Sequence, residues 1–253
     1  PDLDEPKTQA LLEALKDGGV SDEGVRVLFA TGSHRPVTER EAEEKLGPSL
    51  VRRLRWDSHR MTDPLLRLGV TSGGTSVEVN PLLGEADLVV ALGSVVPHRF
   101  CGWSGGGKMV LPGVSGEASI LRTHWMQAED RRICLGSSEN RALEEIREAA
   151  LLAGLAFLVQ AVGDGEGRLA SLHAGPLVPV HREAVDAARR TLGVSCVPVE
   201  VVVAEAWPED RDLWQAGKAL YAAELAVRPG GLVILVADLP EGLGEHRAYG
   251  TGF

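Results

Sequence analysis

Four residues stand out by type and company: His34, His98, Lys108 and His124. An imidazole titrates near pH ~6.5, so it can both take and return a proton at neutral pH. Lys108 directly follows Gly105, Gly106 and Gly107. A run of glycines costs backbone entropy, so it belongs where a chain turns sharply or lies close against a partner. Gly102, Gly107 and Lys108 satisfy the P-loop pattern G-x-x-x-x-G-K. Met109 stands where that motif needs a magnesium-holding Ser or Thr, and Pro112-Gly113 break the helix that should follow. The pattern therefore counts against a nucleotide triphosphatase. Clustered backbone N–H groups still make the loop a candidate anion nest.

The composition sets limits on what such a loop could serve. The chain has 253 residues, 44% hydrophobic and 25% charged, which is enough for one large domain or two small ones. A formal net charge of −10 argues against nucleic acid or an anionic membrane as partner, so an anionic substrate needs its own local Arg, Lys or His. Cys101, Cys134 and Cys196 lack any framework spacing, which fits free thiols in a reducing, cytoplasmic setting. No H-x-x-x-H, C-x-x-C or H-E-x-x-H set is present, so a metal at His124 needs donors from elsewhere.

The elements that must position these residues alternate between strand and helix. The apolar face of Leu11, Leu12 and Leu15 predicts a helix over 8–17, ended by Gly18-Gly19. The run 25–30 reads as a buried strand leading into Thr31-Gly32-Ser33-His34-Arg35-Pro36. Thr38 and Glu41 then form a capping box for a helix stopped by Gly47. A strand is expected over 51–56 and a hairpin over 71–79 turning at Gly73-Gly74. The segment 87–92 reads as the clearest buried strand of the first half, delivering the chain to His98. His34 and His98 would then reach the same edge of one sheet, where α/β proteins place ligands. The plain alternative for His34 is a loop histidine bonded to backbone.

Ser115 is expected to cap a helix to Gln127 that carries His124, and Asn140 one to Ala153. Strands over 155–162 and 168–173 and a helix over 180–192 follow; His173 and His181 receive no role. A second α/β unit begins near residue 195, with a strand at 197–204, a long helix opened by Pro208 and Asp210, and a strand at 232–237. Strand, helix and strand alone do not cover both faces of a sheet, so this unit reads as incomplete. Gln215 and Lys218, three apart, share one face of its helix.

Taken together, T-G-S-H-R-P at 31–36, P-H at 97–98, G-W-S-G-G-G-K-M-V-L-P-G at 102–113, T-H at 123–124 and D-L-W-Q-A-G-K at 212–218 resemble the nickel-dependent lactate racemase family, in order and across nearly the whole chain. The resemblance implies a nickel-pincer nucleotide, pyridinium-3-thioamide-5-thiocarboxylic acid mononucleotide, tethered through a thioamide to Lys108 and bracketed by Gly105, Gly106 and Gly107. His124 would complete the nickel's soft sulfur and carbon donors. His34 and His98 would be the two acid/base residues, one for each face of a planar 2-keto acid. Hydride would pass from Cα to the cofactor while a histidine takes the hydroxyl proton. Lys218 and Gln215 would hold the substrate carboxylate or the developing oxyanion.

The expectation is an α/β protein of two domains, 1–194 and 195–253, with the site in the cleft between them. Its implied activity is racemisation or epimerisation of a small anionic 2-hydroxy acid, on a cofactor loaded by separate biosynthetic enzymes. A non-catalytic α/β module that binds a nucleotide or phosphate on the glycine loop is the alternative.

Overall fold

Helices and short strands are interleaved along the chain, and the helix caps at Thr38 and Asn140 follow directly from the sequence. The structure is a computed structural model describing residues 4–130 and 132–243. Its contacts divide the chain into two compact units between Leu192 and Gly193.

In the first unit, α1 (Asp4–Asp17) precedes β1 (Arg26–Phe29). Thr38 and Glu41 make the expected reciprocal cap of α2 (Glu39–Leu46), and Gly47, with φ of 81°, ends it. The predicted strand over 51–56 is only partly one. Pro48 opens α3 (Pro48–Arg53), which places Leu50 and Val51 in a core, and β2 (Arg55–Ser58) begins two residues later. β1 and β2 pair in parallel as a sheet of two strands. β3 (Leu66–Val70) and β4 (Ser76–Val79) form an antiparallel hairpin whose turn includes Gly73-Gly74 as expected but whose first strand precedes the predicted 71–79, and the short α4 (Leu82–Glu85) leads on to β5 (Val89–Ser94).

β5 does not join β1. It pairs in parallel with β8 (Leu155–Gly163), which pairs antiparallel with β9 (Leu169–Gly175). The expectation that His34 and His98 reach the edge of one sheet therefore fails: β1 and β5 belong to different sheets. His98 is itself in a short strand, because β6 (Pro97–His98) and β7 (Gly102–Trp103) form a tight antiparallel hairpin. A 3-10 turn, Gly106–Met109, carries Lys108. α5 (Glu117–Glu129) carries His124 and is capped by Gly116, while Ser115 is buried and donates to the Val110 carbonyl instead. Asn140 caps α6 (Arg141–Leu152) as expected. α7 (Leu177–Leu192) starts three residues earlier than predicted and takes in His181, while His173 lies in β9.

The largest apolar core gathers Val77, Leu111, Met126, Ile146 and Leu158 from the hairpin, the lysine loop, α5, α6 and β8. The lysine loop is thus part of the core, not an appendage to it.

In the second unit, β10 (Val199–Glu205) and β11 (Val227–Val236) pair in parallel. Between them α8 (Leu213–Ala226) begins at Asp212, whose carboxylate accepts from the Gln215 N–H at 2.8 Å. The helix starts five residues after Pro208, since 206–212 is turn and bend. Most of the glycine-rich stretch after Pro240 lies outside the described residues.

Candidate active site

The Lys108 loop owes its glycines to what lies beneath it. A Cβ on Gly105 would sit 2.3 Å from the Gln160 Oε1, one on Gly106 2.6 Å from the His181 ring, and one on Gly107 2.7 Å from the Ile146 carbonyl. Gly105 and Gly106 also adopt φ of 75° and 54°. The glycines let the loop lie close against the protein's own interior. Gln160, fully buried in β8, accepts the Gly106 N–H at 2.7 Å. The His181 Nε2 lies 3.0 Å from the Ser104 carbonyl, and burial holds its pKa below the usual imidazole value. Neither residue stands out in the sequence: one is a Gln within an apolar strand, the other a His on an amphipathic helix.

Lys108 continues this turn, its N–H donating to Gly105 and its carbonyl accepting from Gly113. Its side chain is half-buried. Its charge acts on Cys101, where burial pushes the thiol pKa up and Lys108 opposes that rise. Cys101 sits in the β6–β7 turn, with its Sγ 3.4 Å from the Nδ1 of His98. The Phe100 ring lies 6.0 Å from the His98 ring and 4.5 Å from the His124 ring, centroid to centroid. One aromatic side chain therefore spaces the two histidines, and the charge of Lys108 reaches the same hairpin. The structure thus sets His98 and His124 on either side of Phe100, with Lys108 near enough to act on the neighbouring Cys101.

His124 is held in place by the stitching of α5 to β4. The Gly116 N–H donates to the Glu78 carbonyl at 2.9 Å, and the Ser119 hydroxyl to the Ser76 carbonyl at 2.6 Å. Thr123 and Met126 face inward on either side of His124, which is half-buried.

His34 is exposed in the turn after β1. That turn is pinned to the far end of the lysine loop by the Gly32 N–H on the Gly113 carbonyl, 2.8 Å. A second tie runs through His59, which sequence reasoning missed. Its carbonyl accepts the Thr31 hydroxyl at 2.7 Å, and its Nε2 lies 2.9 Å from the Ser115 carbonyl. Arg35, next to His34, makes a bidentate pair with Glu41. This arginine holds the Glu41 carboxyl far below its usual range.

Gln215 and Lys218 belong to the second unit and sit on α8. Lys218 is exposed and engages the Glu209 carboxylate.

Among the described residues, no group of three His, Cys, Asp or Glu could hold a metal ion. No helix among them is long and apolar enough to cross a membrane.

The chain is 32% identical over 231 residues to a lactate racemase of Thermoanaerobacterium thermosaccharolyticum, covering 89% of this chain and 54% of that protein. It is 29% identical over 248 residues to a lactate racemase of Lactiplantibacillus plantarum, covering 96% of this chain and 58% of that one. The chain thus spans somewhat over half the length of these relatives. The lactate racemase apoprotein structure from T. thermosaccharolyticum superposes with a TM-score of 0.90 at 29% identity, over 97% of this chain and 60% of that one. A protein from Thermotoga maritima shares the fold, with a TM-score of 0.77 at 23% identity over 92% of this chain and 63% of that one. The family model for the lactate racemase N-terminal domain matches residues 5–136, the stretch that holds His34, His98, Lys108 and His124, and the chain belongs to that family.

Proposed function

We propose that this chain serves the racemisation of a small 2-hydroxy acid of the lactate type, with a nickel-pincer nucleotide tethered to Lys108. The observation that carries the reading is the gathering of His98 and His124 about Phe100 with the Lys108 charge at the same hairpin. The donor chemistry supports it as well. His124 lies in the same unit as Lys108, and among the described residues no group of three His, Cys, Asp or Glu could hold a metal by itself. Such a site suits a metal that arrives with its other donors attached. When bound, the group supplies an acceptor for reversible hydride transfer from Cα, a bond that no general base cleaves readily.

The chain's own residues take the remaining parts. Lys108, anchored at the end of a packed turn, fixes the tether point. His124 takes the metal. His34 and His98 hold or return the hydroxyl proton, each for one enantiomer. Gln215 and Lys218 orient the substrate carboxylate, and Lys218 already donates to a carboxylate, that of Glu209. The first unit carries the tether and the histidines, and the second carries α8.

The test is intact-mass and metal analysis of protein made in a host that also supplies the cofactor-building enzymes. An adduct on Lys108 with about one nickel per chain is expected. Lys108→Ala should lose the adduct, and His124→Ala should keep the adduct and lose most of the nickel. A Lys108→Ala protein that still carries adduct and full racemase activity would sink the assignment. Reversible nucleotide binding without any adduct would favour the non-catalytic module.

A further inference from the structure

Beneath the lysine loop lies a small, partly enclosed cavity lined by Gly107, Leu143, Ile146, Arg147, Leu177 and His181. α6 brings Arg147, α7 brings His181, and the 3-10 turn that carries Lys108 supplies Gly107. Arg147 is half-buried, yet among the described residues it joins no hydrogen bond and no ion pair. Its acidic neighbours on α6 are engaged elsewhere. Glu145 accepts from the Thr71 hydroxyl, and Glu148 accepts from the Ser72 N–H and hydroxyl at 2.8 and 2.6 Å. Arg52, Arg67, Arg182 and Arg190 also lack an ion pair, but they are exposed and water solvates them. A guanidinium withdrawn from water carries a desolvation cost that a partner ordinarily offsets.

His181 is the second basic group at the cavity. Its Nε2 lies 3.0 Å from the Ser104 carbonyl, so that nitrogen carries a proton in either charge state and Nδ1 is the atom that titrates. Burial, and to a smaller degree the Arg147 charge, oppose its protonation against the pull of the Ser104 carbonyl, and no carboxylate acts on it. Two basic side chains therefore meet at one cavity with no acid to balance them. Negative charge placed there would serve both. The room is about that of a single water molecule, which suits a single-atom anion and not a tetrahedral one.

We propose that this cavity is a binding site for a halide-sized anion, chloride in practice, held by Arg147 and His181 beneath the lysine loop. The ion ties α6 to α7 under Gly107 and steadies the turn that carries Lys108. It is taken up together with a proton on His181, because an anion beside an imidazole favours the charged form. The site stands whichever reaction the chain serves.

Chloride NMR linewidths, measured on the full chain at fixed ionic strength with gluconate as the replacing anion, read the binding directly. The protein should broaden the line at about pH 6, and severalfold less at about pH 8, where His181 is neutral. Arg147→Met keeps most of the aliphatic stem and orphans no hydrogen-bond partner, so it should fold, and it should lose the broadening. If it does not fold, Arg147→Gln reads the same point. Proton titration of histidine-labelled protein gives a second reading, with His181→Asn to assign the signal. Chloride should raise the His181 pKa in the parent and leave it unmoved in Arg147→Met. A parent line no broader than that of protein-free buffer would overturn the proposal. So would broadening that survives in Arg147→Met, since the ion would then sit elsewhere. Inorganic phosphate displacing chloride at equal concentration would also overturn it, since the site would then be larger than this cavity.

Discussion

At the scale of single residues, the glycines before Lys108 separate two costs that usually travel together. Gly106 has both a positive φ of 54° and the His181 ring 2.6 Å from where a Cβ would go. Gly154 has a φ of 72° with nothing within 4 Å of its Cβ position. Alanine at Gly154 pays backbone strain alone, about 1 kcal/mol. Alanine at Gly106 adds a steric clash inside a packed core, for a total of about 2–4 kcal/mol. Urea unfolding of the two variants checks this: equal losses would mean that His181 moves aside freely, and that the glycine run is not set by packing. The same comparison tells a loop shaped for the core from one shaped only for a ligand, a distinction the sequence did not make. Three glycines before a lysine read correctly as a close approach, but the nearest partners, Gln160 and His181, lie 54 and 75 residues away in the chain. Nothing local in the sequence names them. Cys101 was likewise legible only as a free thiol, since its contact with His98 depends on the turn that folds it back.

At the scale of elements, the joints between strands matter more than the strands. His59 follows β2 and reaches four segments. Its N–H donates to Phe29 at the end of β1, its carbonyl accepts Thr31, its Nε2 meets Ser115, and its Nδ1 faces the amide of Asn80 after β4 at 3.4 Å. The Asn80 Oδ1 is already taken by the Leu82 N–H, so the amide presents its NH₂ to the ring. That geometry needs a neutral imidazole: Nε2–H donates to Ser115 and Nδ1 accepts from Asn80. Burial lowers the pKa of His59, against smaller raising effects from the Ser115 carbonyl and Asp63, and it lowers that of His181 too. Below the unfolded value of about 6.5 the unfolded chain binds protons that the folded one refuses, so stability is fully present above that pH and falls as pH drops through it. Carboxylates held low by arginines, such as Asp130 at about 2, lose their contribution only in stronger acid. The urea midpoint should therefore fall between pH 7.5 and 5.5, and His59→Asn should be weaker at pH 7.5 but show a shallower pH slope. A midpoint that rises on acidification would contradict the neutral, buried ring. The sequence made the caps at Thr38 and Asn140 plain, because their signals are local. It hid α3, since Leu50, Val51 and Leu54 within an arginine-rich run fit either period until Pro48 is read as a first helical residue. It also could not show that β1 and β5 part into separate sheets, because strand partnership is set by contacts across the chain.

At the scale of the whole molecule, the apolar cores are divided unevenly. Among the described residues, every member of the three buried hydrophobic clusters lies between Leu12 and Leu192. The second unit buries chiefly small side chains, Ala206, Ala216 and Ala223, with Asp212 at its helix cap. Val194 and Val197 at the start of that unit are 88% and 78% exposed. A chain cut there would leave the first unit with its hydrophobic clusters, its glycine-loop support and its histidine ties intact, since Gln160, His181, Ile146 and His59 all precede the cut. Stability scales with apolar area buried, so the first unit should stand alone and the second should not. Thermolysin, which cuts before large apolar residues, is expected to cleave early near Val194 or within the second unit and to leave a resistant fragment ending close to Gly193. That fragment should unfold cooperatively and, when made with the cofactor-building enzymes, should still carry the Lys108 adduct. If Gln215 and Lys218 hold the substrate carboxylate as proposed, it should racemise nothing. A fragment that is digested as fast as the second unit would show that the first unit's cores are not sufficient. A resistant fragment with full racemase activity would remove α8 from the catalytic reading.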